Sequence, residues 1–277
     1  MAKKKEEIRL SAKSDIIAFE DLDFLKTEEL RSVRLQLEFL KPDLIMDQFK
    51  VQSTFVIFGS ARTKSLEDAQ AMLKEAQDAY DKNPNDDTKE ALAKAKRALE
   101  DSHYYQVARE LAAMVTKESQ AMDKTDRTYV VITGGGGGIM EAGNRGATEA
   151  GGITAALNIT LPFEQHPNSY ITPELSFLLH YFSIRKMHFL KRAKALAAFP
   201  GGFGTMDELF EALTLIQTHK IPKMPVLLYG KSFWENLINW KYFEERGMIS
   251  KGDTDIFTYC ESAEEGWNII KKFYNLK

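Results

Sequence analysis

The stretch TYVVITGGGGGIM, residues 128–140, decides the fold. Its β-branched run, Val130 to Thr133, stops at five consecutive glycines, and a helical pattern begins beyond them. That order reads as a buried strand, a glycine loop and a helix. The same grammar repeats on both sides. TFVIFGSAR, 54–62, is an apolar strand entering a Gly-Ser loop, and ITAALNI, 153–159, is another strand. SFLLHYF, 176–182, is a short strand or apolar turn ahead of a basic helix starting near Ile184. ALAAFPGG, 195–202, is strand and loop, followed by a helix from Met206 to about Thr218. MPVLLYG, 224–230, precedes a helix over 233–245; DIFTYC, 255–260, reads as a last strand, and 263–274 as a C-terminal helix. Apolar strands alternating with helices specify an α/β protein with a mainly parallel sheet covered on both faces.

The segments before this core read differently. Residues 1–26 are polar and weakly patterned, and are expected to be a flexible terminus. From Thr27 the spacing of Leu30, Val33, Leu37 and Leu40 predicts a helix, which Pro42 interrupts or kinks before Leu44–Phe49. Residues 64–102 are rich in Ala, Lys, Glu, Asp and Gln. Two stretches of helical spacing flank the turn cluster NPNDD, 83–87, so a helical hairpin is expected there, with a separate helix over 104–117. The hairpin is either a solvated decoration or a lid or oligomer contact, since a narrow apolar seam buries little alone. Residues 27–277 are therefore expected to form one domain with 64–102 inserted.

Bulk properties narrow the function. The net charge of −3 over 277 residues gives no reason to expect a nucleic-acid partner. Lys3-Lys4-Lys5 is followed at once by Glu6 and Glu7 and reads as a solvated end. The single cysteine, Cys260, excludes an internal disulfide framework and a cysteine-rich metal site. Without a signal-peptide pattern or a membrane-length apolar run, a cytoplasmic protein is expected, with no membrane partner.

Both glycine loops sit after a strand and before a helix, where an open parallel sheet binds ligands. Unpaired amides and the helix dipole favour an anion there. Neither loop matches a standard nucleotide fingerprint. A G-x-G-x-x-G frame begun at Gly134, Gly135 or Gly136 ends on Ile139, Met140 or Glu141, and no Gly-Lys-Ser/Thr follows. The plain alternative for the first loop is a tight strand–helix turn. For AFPGGFGTMDELFEAL, 198–213, it is sharper: Thr205-x-x-Glu208 is a capping box, which would make both residues structural. Arg185, among Lys186, Lys191, Arg192 and Lys194, reads equally well as a solvated charge on a basic helix.

Taken together the segments resemble one family. PGGFGTMDE, 200–208, matches the PGGxGTxxE motif of the Lonely Guy (LOG) family at every fixed position. TGGGGGIMEAGNRGA, 133–147, resembles its GGGxxG-(Leu/Ile)-Met element, with Thr133 in place of the first glycine. Arg185-Lys186 matches its Arg-Lys pair, and FGSAR, 58–62, its first strand-loop. The resemblance implies a Rossmann-like, doubly wound fold. It also implies hydrolysis of the N-glycosidic bond of nucleoside 5′-monophosphates, either AMP-like or cytokinin riboside monophosphates, in dimers or higher oligomers.

By the same resemblance Arg185 and Glu208 are the expected catalytic pair. Gly59, Ser60, Gly135, Gly136, Gly138, Lys186, Gly201, Gly202, Gly204 and Thr205 are expected to hold substrate and its phosphate. No metal or redox cofactor is expected. Tyr181 and Phe182-Ser183-Ile184 depart from the family's usual residues beside the base pocket, and the N-terminal helix and hairpin resemble its longer bacterial members.

Members of the family were long labelled possible lysine decarboxylases. That chemistry needs an electron sink, usually pyridoxal phosphate on a Schiff-base lysine, and neither glycine loop holds a lysine. The competing class is a protein that binds a nucleotide or molybdenum cofactor without turning it over. Such a binder has no need of an acid beside a phosphate loop.

Overall fold

Short apolar runs become strands because their side chains can be buried on both faces of a sheet. The computed structural model describes residues 15–122, 126–161 and 166–276. Of the expected flexible terminus, residues 1–14, with their lysine run, lie outside the described residues. The N-terminal helices are α1 (Leu22–Leu25) and α2 (Arg31–Gln48). The order then runs β1 (Thr54–Phe58), α3 (Leu66–Lys82), α4 (Asp86–Met122), β2 (Val130–Thr133), α5 (Ile139–Glu149), β3 (Thr154–Ile159) and β4 (Ser176–Leu179). It continues with α6 (Phe182–Lys191), β5 (Ala193–Ala198), α7 (Phe203–Gln217), β6 (Val226–Tyr229), α8 (Lys231–Leu237), α9 (Trp240–Glu245), β7 (Phe257–Cys260) and α10 (Ala263–Tyr274).

The seven strands form one sheet in the order β4-β3-β2-β1-β5-β6-β7, and every neighbouring pair is parallel. This is the expected Rossmann-like α/β fold. All five residues of β1 are buried. Its alternation sends Val56 and Phe58 to a core shared with α2, α6, α7 and α8. Phe55 and Ile57 go to a core shared with α4, α5 and α10. The winding reverses between β1 and β5, so the loops leaving these two strands meet. Phe199 N donates to Phe58 O (2.9 Å) and Ser60 N donates to Pro200 O (3.0 Å). A cleft at such a switch point is where ligands sit in open parallel sheets.

Several element boundaries differ from the sequence reading, each for a local reason. The hairpin's second arm and the helix expected over 104–117 are one continuous 37-residue helix, α4. At the junction the Ser102 hydroxyl donates back to Leu99 O (2.7 Å) within the helix. The N-terminal helix begins at Arg31, after a 3₁₀ turn over Glu28–Leu30. Pro42 does not interrupt it. Proline lacks the N–H that would bond the Glu38 carbonyl, and His188 Nε2 on α6 donates to that carbonyl instead (3.2 Å). The helix expected over 233–245 is two helices, the second capped by the Asn239 side chain, which accepts from Tyr242 N. Among the described residues no helix is long and apolar enough to cross a membrane.

Candidate active site

α7 opens three residues earlier than its glycines suggest. Its N-cap is Gly202, which has no side chain to cap with, and Phe203 is already helical. The first intrahelical bond runs from Met206 N to Gly202 O (3.1 Å). The amides of Phe203, Gly204 and Thr205 therefore precede any helical partner, and they point beyond the helix start. Thr205 is inside the first turn, not at the cap. Its hydroxyl lies so close over Gly201 that a Cβ there would collide with it. Glycine at 201 is thus fixed by close approach.

This placement removes the capping-box alternative. A capping box needs Thr205 at the N-cap and Glu208 reaching back to it. Instead Glu208 is buried, at 6% relative exposure, and lines a cleft of ≈ 650 Å³ with Gly201, Gly202, Gly204 and Thr205. Its Oε2 is buried without a hydrogen-bond partner. Burial pushes its carboxyl up to about 7, against the pull of the Arg185 and Lys186 charges.

Arg185, in the first turn of α6, lines the same cleft as Glu208. Its Nε donates to Leu157 O (2.8 Å), its Nη2 to Gly134 O (3.4 Å), and its guanidinium lies 5.2 Å from the Phe189 ring centroid. A Cβ on Gly134 would come within 2.5 Å of Nη2. Burial lowers the arginine's pKa, and Glu208 opposes that shift. The two charges sense each other, yet no ion pair closes between them. The cleft thus holds a carboxyl and a guanidinium that do not pair directly.

Gly59 and Ser60, at the end of β1, complete the wall beside Gly201. The other expected residues lie outside the cleft. Gly138 is the N-cap of α5 at φ 63, packed against the Ser60–Ala61 backbone. The carbonyls of Gly135 and Gly136 turn toward Asn168: its backbone N donates to Gly135 O (2.8 Å) and its Nδ2 to Gly136 O (3.0 Å). Asn168 Nδ2 also donates to the buried Asn144 Oδ1 (2.9 Å), so a polar network braces this loop from behind. Of the first loop only Gly134 lines the cleft. Lys186 turns to the flank of α7, pairing with Asp207 (2.7 Å) and Glu211 (3.4 Å). Glu211 is thereby held by Lys186.

One cleft residue went unnoticed in the sequence. Arg62 is an exposed cation on the rim, its amide donating to Ser60 Oγ (3.1 Å). Its place two residues after Gly59-Ser60, at a strand's carboxyl end, was the available signal. Phe203 is 96% exposed at the cleft edge. Phe182 lies on the same rim, half exposed at 51%.

The family described as "Possible lysine decarboxylase" matches over residues 140–270. The chain is similar to cytokinin riboside 5′-monophosphate phosphoribohydrolase LOG1 of Arabidopsis thaliana, 34% identical over 90 residues, which is 32% of this chain. The chain spans only 40% of the length of that relative. Among solved structures it is similar to the molybdenum cofactor carrier protein of Chlamydomonas reinhardtii: 16% identity, TM-score 0.48, 81% of this chain and 99% of that one. It is also similar to the structural-genomics target TM1055: 20% identity, TM-score 0.44, 79% of this chain and 99% of that one.

Proposed function

Since the chain belongs, through residues 140–270, to the Lonely Guy (possible lysine decarboxylase) family, we propose that it hydrolyses the N-glycosidic bond of a nucleoside 5′-monophosphate. The products are the free base and ribose 5-phosphate. The substrate is AMP-like or a cytokinin riboside monophosphate. One observation carries the reading: Glu208, buried and with an unpartnered oxygen, lines the cleft about one turn beyond the unpaired amides of α7.

The 5′-phosphate rests on those amides and on the Thr205 hydroxyl, where the helix dipole favours it. Gly201 and Gly202 allow it to approach closely. That leaves the ribose beside Glu208 and Arg185. As the C1′–N bond breaks, positive charge grows on the ribose, and an ionised Glu208 stabilises it. Water attacks C1′, Glu208 accepts its proton, and the base leaves with the bonding pair and takes up a proton. Arg185 holds phosphate or ribose and keeps Glu208 charged. Water is the only co-reactant this step needs.

A binder without turnover is the weaker reading, because an unpaired carboxylate beside a phosphate site would lower affinity for an anion. A cytoplasmic homodimer or higher oligomer belongs to the same proposal. The exposed Val33, Leu37, Leu40 and Leu44 along α2 support self-association. The deciding experiment offers the protein AMP, other nucleoside monophosphates and isopentenyladenosine monophosphate, with free base measured by chromatography. Release of base from at least one of them is expected; release from none overturns the reaction.

A further inference from the structure

Arg185 takes its place from α6, so what anchors the start of α6 sets where its guanidinium lies. The N-cap of α6 is Tyr181, and its own side chain makes no cap bond. The cap comes from another helix. Glu38, on α2, accepts from His180 N at Oε1 (2.9 Å) and from Tyr181 N at Oε2 (3.1 Å). A carboxylate at a helix N-terminus satisfies orphan amides and complements the dipole. The first helical bond then runs from Arg185 N to Tyr181 O (3.1 Å), so Arg185 is one turn from the clasp.

The backbone of Glu38 is used as well. Pro42 leaves the Glu38 carbonyl without its helical donor, and His188 Nε2 takes it. His188 is buried and stacks on Phe39 at 5.3 Å between ring centroids. At the far end of α6, Asp43 accepts from Lys191 and from Arg192, each at 2.6 Å. α2 thus grips α6 at its start, middle and end. The guanidinium's own tethers are fewer: one good bond to Leu157 O and a long one to Gly134 O.

We infer that Glu38 is a positioning residue for Arg185, acting through the N-terminus of α6. It lies outside the segment matched by the family, residues 140–270, and so outside the motifs that mark the site. Small displacements of a positioned group are costly for binding and turnover. The inference rests on the nucleotide reading of the cleft.

A double-mutant cycle on AMP affinity by titration calorimetry tests it, with Glu208→Gln present throughout so that AMP is not consumed. Glu38→Ala is expected to weaken AMP about tenfold when Arg185 is intact, and less than twofold when combined with Arg185→Ala. Glu38→Gln, which keeps one acceptor, should fall between and guards against a folding defect. Equal losses in both backgrounds, or no loss in either, overturn the assignment. Turnover separates the two ideas. Binding of AMP without adenine release by the unsubstituted protein leaves the cycle as the judge of Glu38 and removes only the reaction. The cycle is run with whichever nucleoside monophosphate of the turnover panel binds, AMP first, and binding of none of them overturns both.

Discussion

At the residue scale the decisive property is the proton on Glu208. A glutamate in the unfolded chain ionises near its ordinary value of 4.5, whereas the folded chain holds the proton to about 7. Its folded pKa is raised, so the associated stability is complete below the unfolded pKa and is lost as pH climbs through about 7. Glu208→Gln should therefore change the melting temperature little at pH 4.5. At pH 8 it should stabilise the protein by about 3 kcal/mol, the equivalent of the shift. The same substitution should lower kcat by 10²–10³-fold, roughly the cost of removing one aligned electrostatic group. Stability and activity moving in opposite directions at pH 8 is the signature; destabilisation at that pH contradicts the desolvation account. In the unsubstituted protein kcat/KM should rise with pH through about 7 and then level, because the ionised form is the working one. A fall above that pH would assign Glu208 the role of a protonated acid. Gly201→Ala should cost roughly 1–3 kcal/mol in denaturant melts and at least tenfold in kcat/KM, because the new methyl displaces Thr205. The motif spacing made Arg185, Glu208 and the second glycine loop legible, yet the same letters also spelled a capping box. Only the true start of α7 separates the two. Asn144 and Asn168 left no mark in the sequence, because a network of scattered polar residues has no period.

At the element scale, helices were legible and their ends were not. Strand runs are short and apolar, so six of the seven strands fell within the expected windows, and β5 opens two residues early, at Ala193. Helix boundaries depend on tertiary partners, which the chain does not announce locally. α4 shows this best. Leu92 and Ala95 face α3, while Tyr105, Ala108, Leu111, Ala112 and Val115 face the sheet. The buried stripe therefore changes partner partway along, and the pattern breaks where the helix does not. His103→Pro discriminates the two readings. At the mouth of a helix beginning at Tyr104 it would cost little. Inside a continuous helix it removes a bond and clashes with the preceding turn, costing about 3 kcal/mol. Urea melts should show the larger loss. α2 carries the complementary lesson: a proline that reads as an interruption is accommodated because another helix uses the carbonyl it frees.

At the scale of the whole molecule, the hairpin formed by α3 and the first half of α4 stands apart from the sheet. Among the described residues α3 fully buries only Ala69. Replacing residues 66–98 with a four-residue Gly-Ser linker is expected to leave a folded protein whose melting temperature lies within about 5 °C of the intact chain, since few buried apolar groups are lost. A cooperative transition that disappears would show the hairpin to be part of the core. The sheet imposes a stricter demand. β1 sits at its middle, flanked by β2 and by β5, whose residues follow some 140 positions later. During synthesis, β1 through β4 can assemble while the second edge of β1, apolar on both faces, stays open until Ala198 has left the ribosome. An open apolar edge invites pairing with other chains. A nascent chain stalled before β5 is therefore the form most exposed to aggregation, and the stretch of translation between residues 133 and 198 is where this protein most needs a chaperone.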